Sequence, residues 1–152
     1  MKLLSERLAP LLGLSIHCTH IKGHGGLKQT VSTIDHLCKE FQFVCKTDVK
    51  SFYESIDQSI LYDQICQHIS DKNIRYYIWQ VIHRTVEYGG NYQEIHQGIS
   101  RACPLSPILG ALYLKAMDDY FSQQKQFYYV RYMDDILILS KTRWQNKRPL
   151  RI

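Results

Sequence analysis

Apolar positions recur along this chain at two distinct periods. Leu27, Val31, Ile34, Leu37 and Phe41 return at three- and four-residue steps, which predicts an amphipathic helix over 27–41. The run FQFVCKT at 41–47 is short, β-branched and aromatic, and predicts a strand ending at Asp48. Asp57 precedes Ile60, Leu61, Ile65 and Ile69, and Asp71 precedes Ile74, Ile78, Val81 and Ile82. Each reads as a helix whose first turn is capped by the aspartate. Leu105, Ile108, Leu109, Leu112 and Met117 mark a buried helix from Pro104 to Phe121, with proline near its first turn. Two strand runs follow, Phe127–Tyr132 and Ile136–Leu139, and Met133-Asp134-Asp135 joins them as a tight hairpin.

The remaining stretches are weaker. Residues 1–13 read as a frayed helix broken by Pro10, and 15–21 as a strand. Gly23, Gly25 and Gly26 make a loop around His24, and Gly89-Gly90-Asn91 ends the Asp71 helix and opens a turn-rich link to Gly98. After Trp144 the run QNKRPLRI has no periodicity, so 145–152 is expected to be an unstructured basic tail. There is no internal repeat. The pattern as a whole predicts an α+β fold, an antiparallel sheet backed by helices.

Composition narrows the class. A chain of 152 residues, 45% hydrophobic and 22% charged, is one ordinary domain with enough apolar surface for a core, which excludes a disordered or low-complexity protein. The net charge of +5 suggests nucleic acid. Its location weakens that reading: Lys141, Arg143, Lys147, Arg148 and Arg151 supply all the excess, and without them bases and acids balance at 14 each. Five cysteines with no CxxC spacing suit a reduced, cytoplasmic protein better than a disulfide framework. No signal peptide opens the chain and no apolar run approaches the length of a membrane span, so no membrane partner is expected.

The chemistry lies in the acids. Asp48 ends one apolar strand, and Asp134-Asp135 sit at the tip of an apolar hairpin. Singly, each has a plain explanation, as a helix cap or as turn chemistry. Together, three carboxylates at strand ends repel one another unless a cation neutralises them, and clustered hard oxygens suit Mg²⁺. Two such ions are the recurrent device for phosphoryl transfer in polymerases.

Asp48-Val49-Lys50-Ser51-Phe52-Tyr53, then Pro104-Leu105-Ser106-Pro107 with its following helix, then Tyr132-Met133-Asp134-Asp135 stand in the order and spacing of reverse-transcriptase motifs A, B and C. Over about residues 17–144 the chain resembles a reverse transcriptase of the bacterial group II intron and retron type. The resemblance implies a polymerase palm, partial fingers and no thumb, with 1–144 as a fingers/palm fragment. It implies RNA-directed DNA synthesis from an RNA template, a DNA primer and deoxynucleoside triphosphates. Asp48 and Asp134 would bridge two Mg²⁺ ions (Mn²⁺ being the alternative), with Asp135 more peripheral and Val49 lending a carbonyl. Tyr53 matches the aromatic gate that leaves no room for a 2′-hydroxyl. Lys22 and Lys28 match a fingers loop that contacts template or triphosphate, and Arg131 is a candidate primer contact.

The chain also departs from the family. Where motif B carries Pro-Gln-Gly, Ser100, Arg101 and Ala102 stand here, and Gln97-Gly98 lies four residues too early. Ala102 adds a methyl where glycine lets backbone approach the nucleotide; Arg101 remains able to reach a phosphate or stack on a base. Lacking a thumb, the chain is expected to grip duplex weakly and to show little processive synthesis. Two rivals to the enzyme reading are an inactive truncated remnant and a non-catalytic nucleic-acid-binding module. His17, Cys18, His20 and His24 form a compact donor set, but no second Cys/His pair follows at finger-like spacing, so zinc is not expected. Asp118-Asp119 are expected on a solvated helix face.

Overall fold

The computed structural model describes residues 2–147. Helix α1 (Lys2–Leu8) runs into a 3-10 turn (Ala9–Leu12) that accommodates Pro10 and ends at Gly13. The strand expected at 15–21 does not form. Cys18, Ile21 and His24 each donate their N–H three residues back, to Ser15, Cys18 and Ile21, so those donors are spent on turns instead of a ladder. A single bridge, Cys18 to Arg131, remains. Helix α2 (Gly26–Leu37) is shorter than its apolar period suggested, and strand β1 (Phe43–Asp48) ends at Asp48 as expected. A short turn of helix α3 (Phe52–Ser55) leads to α4 (Gln58–His68) and α5 (Lys72–Ile82). Both longer helices are capped as the sequence predicts: Asp57 accepts from the N–H groups of Ser59 and Ile60, and Asp71 from those of Asn73 and Ile74.

The link read as turn-rich is instead a hairpin of β2 (Thr85–Tyr88) and β3 (Asn91–Glu94), turned by Gly89 and Gly90 at φ 59° and 83°. Positive φ at both central residues is what a type I′ two-residue hairpin turn demands. All eight strand residues are exposed, so the hairpin buries no apolar face, and each run is only four residues long. The helix expected over 104–121 is two helices, α6 (Ser106–Tyr113) and α7 (Lys115–Ser122), interrupted at Leu114. Strands β4 (Phe127–Tyr132) and β5 (Asp135–Ser140) form the expected hairpin, with Met133 at φ 56° in its turn. Helix α8 (Arg143–Lys147) takes in the first residues of the segment expected as a tail; 148–152 lie outside the described residues.

The chain forms two compact units, each drawn from two stretches. The first comprises Met1–Leu14 and Lys50–Tyr113. Its α4 packs on α5, α6 and the 3-10 turn, burying Leu12, Leu61, Ile65, Ile78, Ile82, Leu109 and Leu112. The buried Gln58 side chain satisfies several backbone groups, its amide nitrogen lying within 2.8–3.2 Å of the carbonyls of Ile82, Ile95 and Gly98. At Gly98, φ is +78° and an added Cβ would come within 2.8 Å of Tyr53 and Glu54 backbone atoms, so only glycine fits.

The second unit comprises Ser15–Val49 and Leu114–Ile152. Its sheet has the order β1-β5-β4, antiparallel throughout. One face carries Cys45, Ile136, Ile138 and Tyr129 against Phe121 of α7, whose ring stacks on Tyr129 at 4.9 Å. The observed architecture is therefore α+β. No helix among the described residues is long and apolar enough to cross a membrane.

Candidate active site

Strand pairing sets the geometry of the acids. Asp48 lies directly opposite Asp135 in the β1–β5 register, and Val49 donates its N–H to the Asp134 carbonyl at 3.3 Å. The backbones of all three acids thus meet at one end of the second unit's sheet. Directly opposed residues of an antiparallel pair share a face, so Asp48 and Asp135 rise from the face turned away from the Phe121–Tyr129 core. Lys46 shares that face and pairs with Asp135 at 3.6 Å; both are exposed, so the pair adds only about 0–1 kcal/mol. A groove of about 200 Å³ bordered by Leu27 and Val31 of α2 and by Leu137 ends there. Asp134, in the turn, is half-buried.

Carboxylate oxygens are the hard donors that Mg²⁺ takes, and three acids at one sheet end fit that chemistry. As the side chains stand, no group of three His, Cys, Asp or Glu among the described residues forms a ready cage. Asp48, Asp134 and Asp135 are the candidate ligands, with Val49 next to Asp48 in the chain.

Arg131 requires a correction. It is wholly buried, and its Nε and Nη2 form a bidentate pair with Asp118 at 2.8 and 2.6 Å. Burial works against the guanidinium's charge, yet the Asp118 hydrogen bond and the electrostatic attraction of Cys18, Asp118 and Tyr129 together outweigh it and raise the Arg131 pKa above its ordinary value. A group so enclosed cannot contact primer. Asp118 is likewise buried, contrary to the solvated face expected of it, and also accepts from the Tyr129 hydroxyl at 2.6 Å. Burial, then Asp118, push the Tyr129 pKa up. Asp119 alone keeps the expected outward role, pairing with Lys115.

The His/Cys set is engaged in local hydrogen bonding. His17 Nδ1 lies 3.1 Å from the Tyr129 carbonyl, and His24 Nδ1 lies 3.3 Å from that of Cys18. His20 Nδ1 accepts the Met133 N–H at 3.0 Å. Lys22 and Lys28 are exposed. Lys22 borders an open hollow of about 470 Å³ with Thr19, Gly23, Gly25 and Gln29.

Tyr53, Arg101 and Ala102 belong to the first unit. The Tyr53 ring is half-buried against Phe52, with centroids 5.0 Å apart, and a Cβ at Gly110 would approach Phe52 to 2.9 Å and Tyr53 to 3.3 Å. The absence of a side chain on α6 there makes room for both rings. Arg101 is exposed and pairs with Glu54 at 3.2 Å, next in sequence to Tyr53; Ala102 is exposed. His20 and Asp118 were not among the candidate polymerase residues, because they sit on elements remote in sequence from the hairpin they support.

Residues 2–152 match the family described as reverse transcriptase (RNA-dependent DNA polymerase). No curated protein matches the sequence. Among solved structures, the fold is similar to apo telomerase from Candida tropicalis truncated from its C-terminal domain (TM-score 0.65, 15% identity, covering 97% of this chain and 35% of that one). It is also similar to telomerase from Candida albicans in complex with a fragment of telomeric RNA (TM-score 0.68, 17% identity, 99% and 31% covered). The chain thus spans about a third of the length of these structures.

Proposed function

Because the chain belongs to the reverse transcriptase family, we propose that it performs RNA-directed DNA synthesis, transferring deoxynucleotides to a primer 3′-hydroxyl. The observation that carries this reading is the register that sets Asp48 against Asp135 with Asp134 beside them at one sheet end. In this reading Asp48 and Asp134 hold two Mg²⁺ ions, Asp135 supports them from the periphery, and the Val49 carbonyl completes the oxygen set. The bound ions would acidify the attacking hydroxyl and neutralise the leaving pyrophosphate. The Tyr53 ring, seated on Phe52 and Gly110, packs beneath the sugar and excludes a 2′-hydroxyl. Lys22 and Lys28 offer exposed charge to phosphates, and Arg101, beside Ala102, is held near the gate by Glu54.

The template is RNA, a choice supported by the family and by the Candida albicans telomerase bound to an RNA fragment. Motif order and the Tyr132-Met133-Asp134-Asp135 tip favour the bacterial group II intron and retron branch. Five free cysteines suit a reducing, cytoplasmic setting.

Primer extension on an RNA template, in Mg²⁺ and in Mn²⁺, tests this. Short, distributive extension is expected, abolished by Asp134→Asn, and Tyr53→Ala should lower the ratio of deoxy- to ribonucleotide incorporation. Failure to extend at any protein concentration in either metal, or extension indifferent to Asp134→Asn, would overturn the reading in favour of an inactive remnant or a binding module.

A further inference from the structure

Met133 immediately precedes the acid pair and carries a left-handed φ of 56°, which residues with a side chain rarely adopt. Both polar groups of its backbone are held from outside the turn. His20 Nδ1 accepts its N–H at 3.0 Å, and Arg131 Nη1 donates to its carbonyl at 2.7 Å. Each holder is itself fixed. Arg131 is clamped bidentately by Asp118, which also accepts from the Tyr129 hydroxyl, and Asp118 and Arg131 are fully buried. The His20 ring lies edge-on to Tyr132, with centroids 5.9 Å apart. The Cys18 sulfur sits 3.4 Å from the same Nδ1. Burial pushes the Cys18 thiol up to about 12, so it stays protonated, and because Nδ1 already accepts the Met133 N–H, the thiol donates there. With two donors on Nδ1, the ring proton belongs on Nε2.

A buried ion pair is a poor stabiliser, since the loss of hydration offsets much of the attraction; its best attested use is to specify one conformation. Here the pair's third bond goes to the one peptide whose geometry aims the acids. We propose that His20 and the buried Asp118–Arg131 pair are positioning residues that lock the Met133 turn left-handed and thereby fix Asp134 and Asp135 for divalent-cation binding. The inference rests on the metal role given to the acids above. Its chemistry parallels the outer groups around metal ligands, whose removal costs roughly 10–100-fold in affinity.

Mn²⁺ serves as the probe, its binding to the full chain followed by electron paramagnetic resonance, with amide exchange at Met133 read by NMR and the thermal midpoint as a check on folding. His20→Ala removes the acceptor, while His20→Asn places an amide oxygen near the Nδ1 position. The triple variant Asp118→Leu, Tyr129→Phe, Arg131→Met replaces the polar cluster by apolar groups of similar size and strands no buried partner within it. Expected are Mn²⁺ binding weakened roughly 10–100-fold and faster Met133 exchange in His20→Ala and in the triple variant, with both restored by His20→Asn. Unchanged Mn²⁺ affinity in folded variants would overturn the inference; should the triple variant not fold, the His20 pair decides. Absence of Asp134-dependent Mn²⁺ binding in the unaltered chain would sink the polymerase reading instead. Met133 exchange then decides the present one, and protection unaltered by His20→Ala would end it.

Discussion

Replacing Gly98 by alanine puts two separable costs on one atom. The backbone there has φ +78°, and holding an L side chain in the left-handed region costs roughly 1–2 kcal/mol. The new methyl would also stand 2.7 Å from the Glu54 carbonyl oxygen, 2.8 Å from the Glu54 Cα and 2.8 Å from the Tyr53 carbonyl oxygen. These are backbone atoms and cannot rotate away. Nor can Gly98 retreat easily: its N–H donates to Ile56 at 2.8 Å, its carbonyl accepts from Gln58 at 2.8 Å, and the next N–H is bound to Tyr53 at 2.7 Å. Overpacking against a pinned neighbour adds about 1–3 kcal/mol. Together Gly98→Ala should cost about 2–5 kcal/mol, against a total stability of about 5–15 kcal/mol for a domain. Gly90 supplies the control, with φ +83° and nothing within 4 Å of an added Cβ, so Gly90→Ala should carry the conformational cost alone. Urea unfolding followed by far-UV circular dichroism separates the two: at a slope of about 1–3 kcal/mol per molar, Gly98→Ala lowers the midpoint by about 0.7 molar or more. A Gly98→Ala midpoint no lower than that of Gly90→Ala would refute the close approach and the locking of the Tyr53 turn that follows from it.

Two further outcomes concern stability. Asp57→Ala and Asp71→Ala each remove the acceptor for two helix N–H groups, so each should cost about 1 kcal/mol, and the double variant about the sum; thermal unfolding that shows no loss for either would deny the caps. Cys18, with its pKa raised from 9.0 to about 12, stays protonated when folded at pH values where the unfolded chain has released that proton. Unfolding free energy should therefore fall as pH rises from about 9 to about 12, by about 1.4 kcal/mol per pH unit from this group, with buried Tyr129 steepening the fall above pH 10. Denaturation curves across that range, flattened in Cys18→Ala, are the check, and a slope indifferent to the substitution would refute it.

What the sequence determined by itself is local. Asp57 and Asp71 announce their helices because a capping aspartate acts within three residues of its own position, and the period of apolar residues beyond it needs no distant partner. The β4–β5 hairpin is legible for the same reason, two apolar runs joined by a turn too short for any other path. Motif order further conveyed the family, to which residues 2–152 are matched. Where a residue's meaning depends on a remote element, the sequence misled. Arg131 looks like an exposed basic residue until Asp118 of α7, thirteen residues earlier, is seen to enclose it. Asp118 looks solvated for the complementary reason. The β2–β3 hairpin has runs of only four residues and no buried face, the apolar stripe of 104–121 does not reveal its break at Leu114, and 15–21 spends its donors on turns. Tertiary structure alone decided the register that sets Asp48 against Asp135, because pairing between strands nearly ninety residues apart depends on how their faces pack and not on either strand's own pattern.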